Sequence, residues 1–230
     1  MLQSGNGVIT LTRVFLVRHC QASGNLDGVF QGSIDTDITQ FGQQQLEQLR
    51  ERFRLQKLDA VYTSPLLRAR LTADAVNFYH GLPVRIEQDL REIDAGVWEG
   101  KKWSEFPVKY PEDTLNWNLY PWRFAPQGGE TMQQVYERVW QAMQRIVKKN
   151  PHSDLAVVSH GCAIRNIMCH AHGYEIERMG EVDWYEQTSV TTLEFDEKGT
   201  CMIAQENDTS HLSEQLLSAS VRDWNRAGKK

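Results

Sequence analysis

Short, strongly apolar runs recur along this chain with stretches of helical spacing between them, and two of the runs end in histidine: VFLVRH at 14–19 and DLAVVSH at 154–160. VFLVRH is strand-like, and the continuous apolar run of DLAVVSH reads as a buried strand. After the first run, TDITQFGQQQLEQLRERFR (36–54) becomes helical beyond Thr39, with Leu46, Leu49 and Phe53 on one face. LDAVYT (58–63) is the next strand, and Ser64-Pro65 predicts the N-cap and first residue of a helix that Gly81 can stop. LPVRIE (82–87) is a third, shorter strand. The clearest helix spans 128–149: Thr131 and Gln134 form a capping box, and Met132, Val135, Val139, Met143 and Ile146 recur at helical spacing. A further helix follows His160 as far as Gly173, and SVTTLEFD with TCMIAQE forms a hairpin turning at Lys198-Gly199. This alternation predicts a layered α/β fold.

The 230 residues, 40% hydrophobic and 24% charged, suit one large α/β domain or two small ones with a sizeable core. A net charge of -5 argues against a nucleic-acid or membrane-surface binder. Cys20, Cys162, Cys169 and Cys201 show no paired framework, so reduced thiols are expected. No apolar stretch approaches the roughly 20 residues of a membrane span, and MLQSGNGVITLT does not resemble a signal peptide. The expectation is a cytoplasmic protein with a lead-in over 1–12, a domain over 13–207 and a polar tail over 208–230. Residues 94–127 break the alternation. They hold Trp98, Trp103, Trp117 and Trp122 with Tyr110, Tyr120 and Phe124, which reads either as a lid or as an insertion packing its own aromatics.

In open α/β sheets ligands collect beyond the carboxyl ends of the strands. His19 and His160 end two strands, and Arg68 falls in the first turn after a third. Gly161 starts a helix, so free N–H groups and the positive end of its dipole are expected beside His160. Arg18, His19, Arg68 and His160 should therefore converge on one donor-rich, positively charged point suited to phosphate. Each has a bland alternative. A lone histidine after a strand is more often structural, and an arginine in a first turn is usually solvated, as Arg70 is expected to be. An arginine there opposes the dipole, which gives Arg68 a reason to serve something else.

RHCQASGN, QGSIDTDIT, YTSPLLRARLTA, REIDAGVWEG, GGET and VVSHGCAIR, in that order, resemble the histidine phosphatase superfamily, which contains the cofactor-dependent phosphoglycerate mutases. The likeness runs over about residues 14 to 206. It implies a three-layer α/β sandwich, a mixed, mainly parallel sheet flanked by helices, with 94–127 as a helical, aromatic lid insertion. It also implies a phosphoenzyme mechanism: His19 as nucleophile, Arg18, Arg68 and His160 on the phosphoryl oxygens, Glu92 as proton donor, and Asn25 lining the phosphate pocket. A neutral imidazole is a competent nucleophile if its other ring nitrogen is anchored. Two guanidiniums suit a transition state whose charge spreads over three oxygens. Arginine and histidine supply that charge, so no metal or other cofactor is called for. The expected partner is a small phosphorylated metabolite, with no nucleic acid and no membrane; a homodimer is left open.

One departure is Cys20, where relatives usually carry glycine; tolerance is expected, with a distorted pocket as the alternative. Two decoys fall away. The cysteine phosphatase pattern HCx₅R needs arginine at 26, where Leu26 stands. Cys162, Cys169, His170 and His172 match no common zinc spacing and read as one helix. Between phosphatase and mutase, a mutase needs extra cations for a second phosphate and a carboxylate. Residues 94–127 offer only Lys101, Lys102, Lys109 and Arg123, with no adjacent arginines. A phosphatase of small organic monoesters is therefore favoured, with a mutase or a non-catalytic phosphate binder as alternatives.

Overall fold

The computed structural model describes residues 11–217, so most of the lead-in and the tail beyond 217 lie outside the described residues. β1 (Thr12–Arg18), β2 (Ala60–Thr63), β3 (Val84–Ile86), β4 (Asp154–Ser159), β5 (Val190–Phe195) and β6 (Cys201–Asp208) form one sheet in the order β3-β2-β4-β1-β5-β6. The first four positions pair in parallel, whereas β5 is antiparallel to both β1 and β6. The mixed, mainly parallel sheet is thus as expected.

Its two faces explain the apolar runs. Successive strand residues point to opposite sides. Phe15 and Val17 therefore join one core with Leu46, Leu49 and Phe53 of α2 (Gln40–Phe53) and Ala69, Ala73 and Val76 of α3 (Leu67–Asn77). Val14 and Leu16 join the other, packed by Val135, Val139 and Met143 of α6 (Met132–Lys149) and Ile164, Ile167 and Met168 of α7 (Gly161–Ala171). A strand covered on both faces has no polar side to show, which is why the run does not alternate. Thr131 caps α6 as expected, its Oγ1 accepting from Gln134 N at 3.2 Å.

Two local expectations are corrected. Leu66, not Ser64, is the N-cap of α3. The Ser64 hydroxyl is engaged by His160 at 2.6 Å, so Pro65 lies in the turn before the helix and not in its first position. Beyond β6, residues 209–217 lie along α2: Gln45 Nε2 donates to Leu216 O at 3.0 Å, and Leu216 is buried. Among the described residues no helix is long and apolar enough to cross a membrane.

Residues 94–127 carry α4 (Phe106–Lys109) and α5 (Pro111–Leu119) and pack around an aromatic cluster. Trp98 stacks on Phe106 at 3.8 Å, and Phe30 meets Trp98 and Trp117 edge-on at 5.6 and 5.2 Å. Lifting the segment would expose Trp98, Phe106 and Phe124, at about 1.5–3 kcal/mol for each large apolar side chain. The segment is a packed wall over the ends of the strands.

Candidate active site

The parallel register of β1 and β4 sets Arg18 opposite Ser159, so the next residues, His19 and His160, leave the sheet side by side. His19 N donates to Ser159 O at 3.0 Å, and the two rings lie 5.1 Å apart between centroids, close to one inter-strand spacing. Sequence distance is irrelevant here; the hydrogen-bond ladder does the work.

His19 is buried. Its Nδ1 lies 2.6 Å from Cys20 O, which fixes Nδ1 as the protonated nitrogen and leaves the Nε2 lone pair without a partner among the described residues. Burial, then the charges of Arg68 and Arg18, hold its pKa well below the usual histidine range despite the opposing Cys20 carbonyl. Cys20 itself is buried with the α2–α3 core, and its backbone is not in the left-handed region. Glycine's conformational freedom is thus unnecessary at this position. Burial pushes the Cys20 thiol up to about 11, so it stays neutral beside His19.

Arg68 is fully buried, with Nη1 donating to Ile34 O and Nη2 to Gly32 O, both at 2.8 Å. These bonds aim the guanidinium and leave its Nε–H and two further N–H groups for a ligand. The receiving loop is pinned in turn by Glu99, which accepts from Ser33 N at 2.7 Å, Ser33 Oγ at 2.8 Å and Ala95 N at 3.1 Å. Gly32 has φ +51°, and a Cβ there would be driven into the Glu99 carboxylate. Arg18 donates from Nη1 to Tyr185 O. Gly161 permits the close approach of Arg18 Nη2, 3.3 Å from where a Cβ would stand. Arg70 is exposed.

Of the N–H groups expected at the start of α7, those of Cys162 and Ala163 are taken by Glu92, while Gly161 lines the cleft. Glu92 Oε2 accepts from Cys162 N at 3.0 Å, and Oε1 accepts from Ala163 N at 3.1 Å and Ile93 N at 3.0 Å. A carboxylate is a favourable occupant of a helix N-terminus, so the proton-donor candidate doubles as the cap. His160 is fully buried behind His19; its Nε2 meets Ser64 Oγ and its Nδ1 has no protein partner. Burial, Arg68 and His19 hold its pKa well below the usual range.

These groups floor a cleft of about 120 Å³ lined by Arg18, His19, Asn25, Arg68, Glu92 and Gly161. Its upper walls are Phe30, Trp103, Trp117 and Trp184. Asn25, in the short helix α1 (Ser23–Leu26), is held by its Oδ1, which accepts from Ala22 N at 3.0 Å, and it lines the cleft. Trp98 and Phe124 are fully buried in the aromatic cluster behind the wall, as the self-packing reading of 94–127 has it. Phe30 and Trp184 escaped the sequence reading because nothing in their local pattern separates a cleft aromatic from a core one. The segment 162–172 is one helix as far as Ala171, with Cys162 packed on Met132 and His170 stacked between Tyr136 and Trp140. Among the described residues no group of three His, Cys, Asp or Glu is placed to hold a metal ion.

A sequence model of the histidine phosphatase superfamily (branch 1) matches residues 14–209. The chain belongs to that superfamily. It is similar to phosphoserine phosphatase 1 of Hydrogenobacter thermophilus, 31% identical over 209 residues and covering 91% of this chain and 98% of that one. It is also similar to phosphoglycerate mutase-like protein 4 of Arabidopsis thaliana, 31% identical over 90% of this chain and 89% of that one. Among solved structures, Bacillus stearothermophilus YhfR superposes with a TM-score of 0.84 at 32% identity, covering 88% of this chain and all of that one. By their names these two curated relatives are a phosphatase and a phosphoglycerate mutase-like protein.

Proposed function

We propose that this chain hydrolyses small organic phosphate monoesters through a phosphohistidine on His19. The observation that carries the reading is the His19 ring: neutral, tautomer set by Cys20 O, in a cleft that the Arg18 and Arg68 side chains also line. Nε2 attacks phosphorus, the P–O ester bond breaks, and Glu92, protonated at that moment, gives its proton to the departing alkoxide. Glu92 is the one carboxyl group among the cleft-lining residues, and three N–H contacts hold it in place. The carboxylate then takes a proton from water as water attacks the phosphohistidine, releasing phosphate and restoring His19. Arg18, Arg68 and Asn25, which line the cleft, hold the phosphoryl oxygens, whose spread charge suits forked donors, while His160 lies buried beside His19 with Nε2 on Ser64 Oγ, outside the cleft lining.

A mutase reading draws on the Arabidopsis thaliana relative, but beyond Arg18 and Arg68 no cation lines the cleft among the described residues. Of the four cations at 94–127, Lys101 is tied to Val97 O, Lys109 to Glu105 and Arg123 lies over Tyr120, and none of the four, Lys102 included, lines the cleft. With all four cysteines free, a cytoplasmic setting fits the reading. Rapid quench with a radiolabelled monoester tests it: label should appear on the protein, be acid-labile, be absent from His19→Ala, and pass to water. Transfer only to 3-phosphoglycerate would favour the mutase, and no labelled protein would leave a phosphate binder.

A further inference from the structure

Glu92 sits in a segment, 89–94, that belongs to no strand and no α-helix, so its backbone lacks the ladder that places His19 and His160. Another group supplies the missing donors. Arg138, on α6, donates Nη1 to Asp89 O at 2.8 Å and to Arg91 O at 2.9 Å, and Nη2 to Glu92 O at 3.1 Å. Its remaining N–H groups meet Glu130 side-on, Nε to Oε1 at 2.7 Å and Nη2 to Oε2 at 2.8 Å. All five guanidinium N–H groups are therefore used, and none points at the cleft. Glu130 closes the clamp from the other side, accepting from Asp94 N at 3.0 Å and Arg91 Nη2 at 2.7 Å. Burial pushes the Glu130 carboxyl up, but Arg138, the Asp94 N–H and Arg91 outweigh it and hold it below the usual carboxylate range.

We propose that the Arg138–Glu130 pair is a positioning device for Glu92: it fixes the backbone at 89–94 so that the carboxyl faces the leaving-group oxygen. The inference rests on the acid role assigned to Glu92 above. Neither residue touches the cleft, and each acts through the carbonyls and amide it holds. A lysine at 138 keeps the charge but has one nitrogen, which cannot satisfy three carbonyls and both carboxylate oxygens. A proton donor displaced by a fraction of an ångström loses most where the leaving group is a poor one. A purely structural clamp would instead lower all turnover alike.

The test compares Arg138→Lys, Glu130→Gln and Glu92→Gln with the parent enzyme on ethyl phosphate and p-nitrophenyl phosphate. The expected result is a kcat loss on ethyl phosphate at least about tenfold larger than on p-nitrophenyl phosphate for Arg138→Lys and Glu130→Gln, with KM for the aryl ester within about twofold. Glu92→Gln should show the same selectivity, more strongly. If Glu92→Gln is selective and Arg138→Lys slows both esters equally, the positioning role is wrong and the acid role stands. If Glu92→Gln is itself unselective, the acid role fails and the inference goes with it. Should Arg138→Lys show no cooperative thermal transition, Glu130→Gln decides by the same ratio, since it keeps its volume and an acceptor oxygen.

Discussion

Replacing Glu99 by alanine should loosen Arg68, a cleft-lining arginine that Glu99 does not touch. Glu99 accepts from Ser33 N, Ser33 Oγ and Ala95 N, and the loop so pinned offers Gly32 O and Ile34 O to Arg68. Each donor deprived of its acceptor costs about 1–3 kcal/mol when buried; the site is only partly buried, so about 1 kcal/mol each, or about 3 in all, is the reasoned figure. For a domain of this size that corresponds to a fall in Tm of roughly 6–12 °C. Burial works against the Arg68 charge, and Glu92, Asp35 and Glu99 oppose that effect, so the guanidinium also loses one supporting charge. If its aim degrades by one charge-assisted bond, about 1.4 kcal/mol, the Ki of inorganic phosphate as competitive inhibitor rises about tenfold. Calorimetry and steady-state inhibition read the two effects separately. Gly32→Ala should reproduce both, since its Cβ would displace the same carboxylate. A fall in Tm with an unchanged phosphate Ki would refute the relay to Arg68, leaving Glu99 as a loop anchor only.

Stability should fall as pH drops from about 6.5 toward 4. Burial lowers His170 and His211 from 6.5 to about 4 and holds His19 and His160 well below 6.5. The unfolded chain then binds more protons than the fold throughout that window, and stability is lost on acidification. A urea midpoint unchanged between pH 7 and pH 5 would contradict those assignments. Cys20→Gly should keep phosphohistidine formation but cost about 1–2 kcal/mol from a lost buried side chain and added backbone freedom, read by urea unfolding. Iodoacetamide at pH 7 should leave the native enzyme active, because the Cys20 thiol, pushed up to about 11, is neutral and buried; rapid loss tracking alkylation of Cys20 would show otherwise.

Much of this molecule was legible along the chain. Apolar runs too continuous for a one-sided strand marked the sheet, and the capping box at Thr131 marked α6. Histidines at two strand ends marked the place where a ligand would be met. Those signals are local: they depend on residue type and period over a few positions, which is what hydrophobic burial and helix capping respond to.

What the chain could not disclose was set by contacts between backbone groups, which carry no residue signature. Ser64 looked like a cap, yet its hydroxyl is held by a histidine 96 positions away. The first amides of α7 looked available for phosphate, yet Glu92 takes those of Cys162 and Ala163. Arg138 and Glu99 look like ordinary helix and loop charges until the carbonyls and amides they hold are located. The sequence alone marked the sheet's strands, the family and His19 as the candidate nucleophile. Only the tertiary structure decided how Glu92, Arg18 and Arg68 are held at the cleft, because strand register and carbonyl capture exist only once distant segments have met.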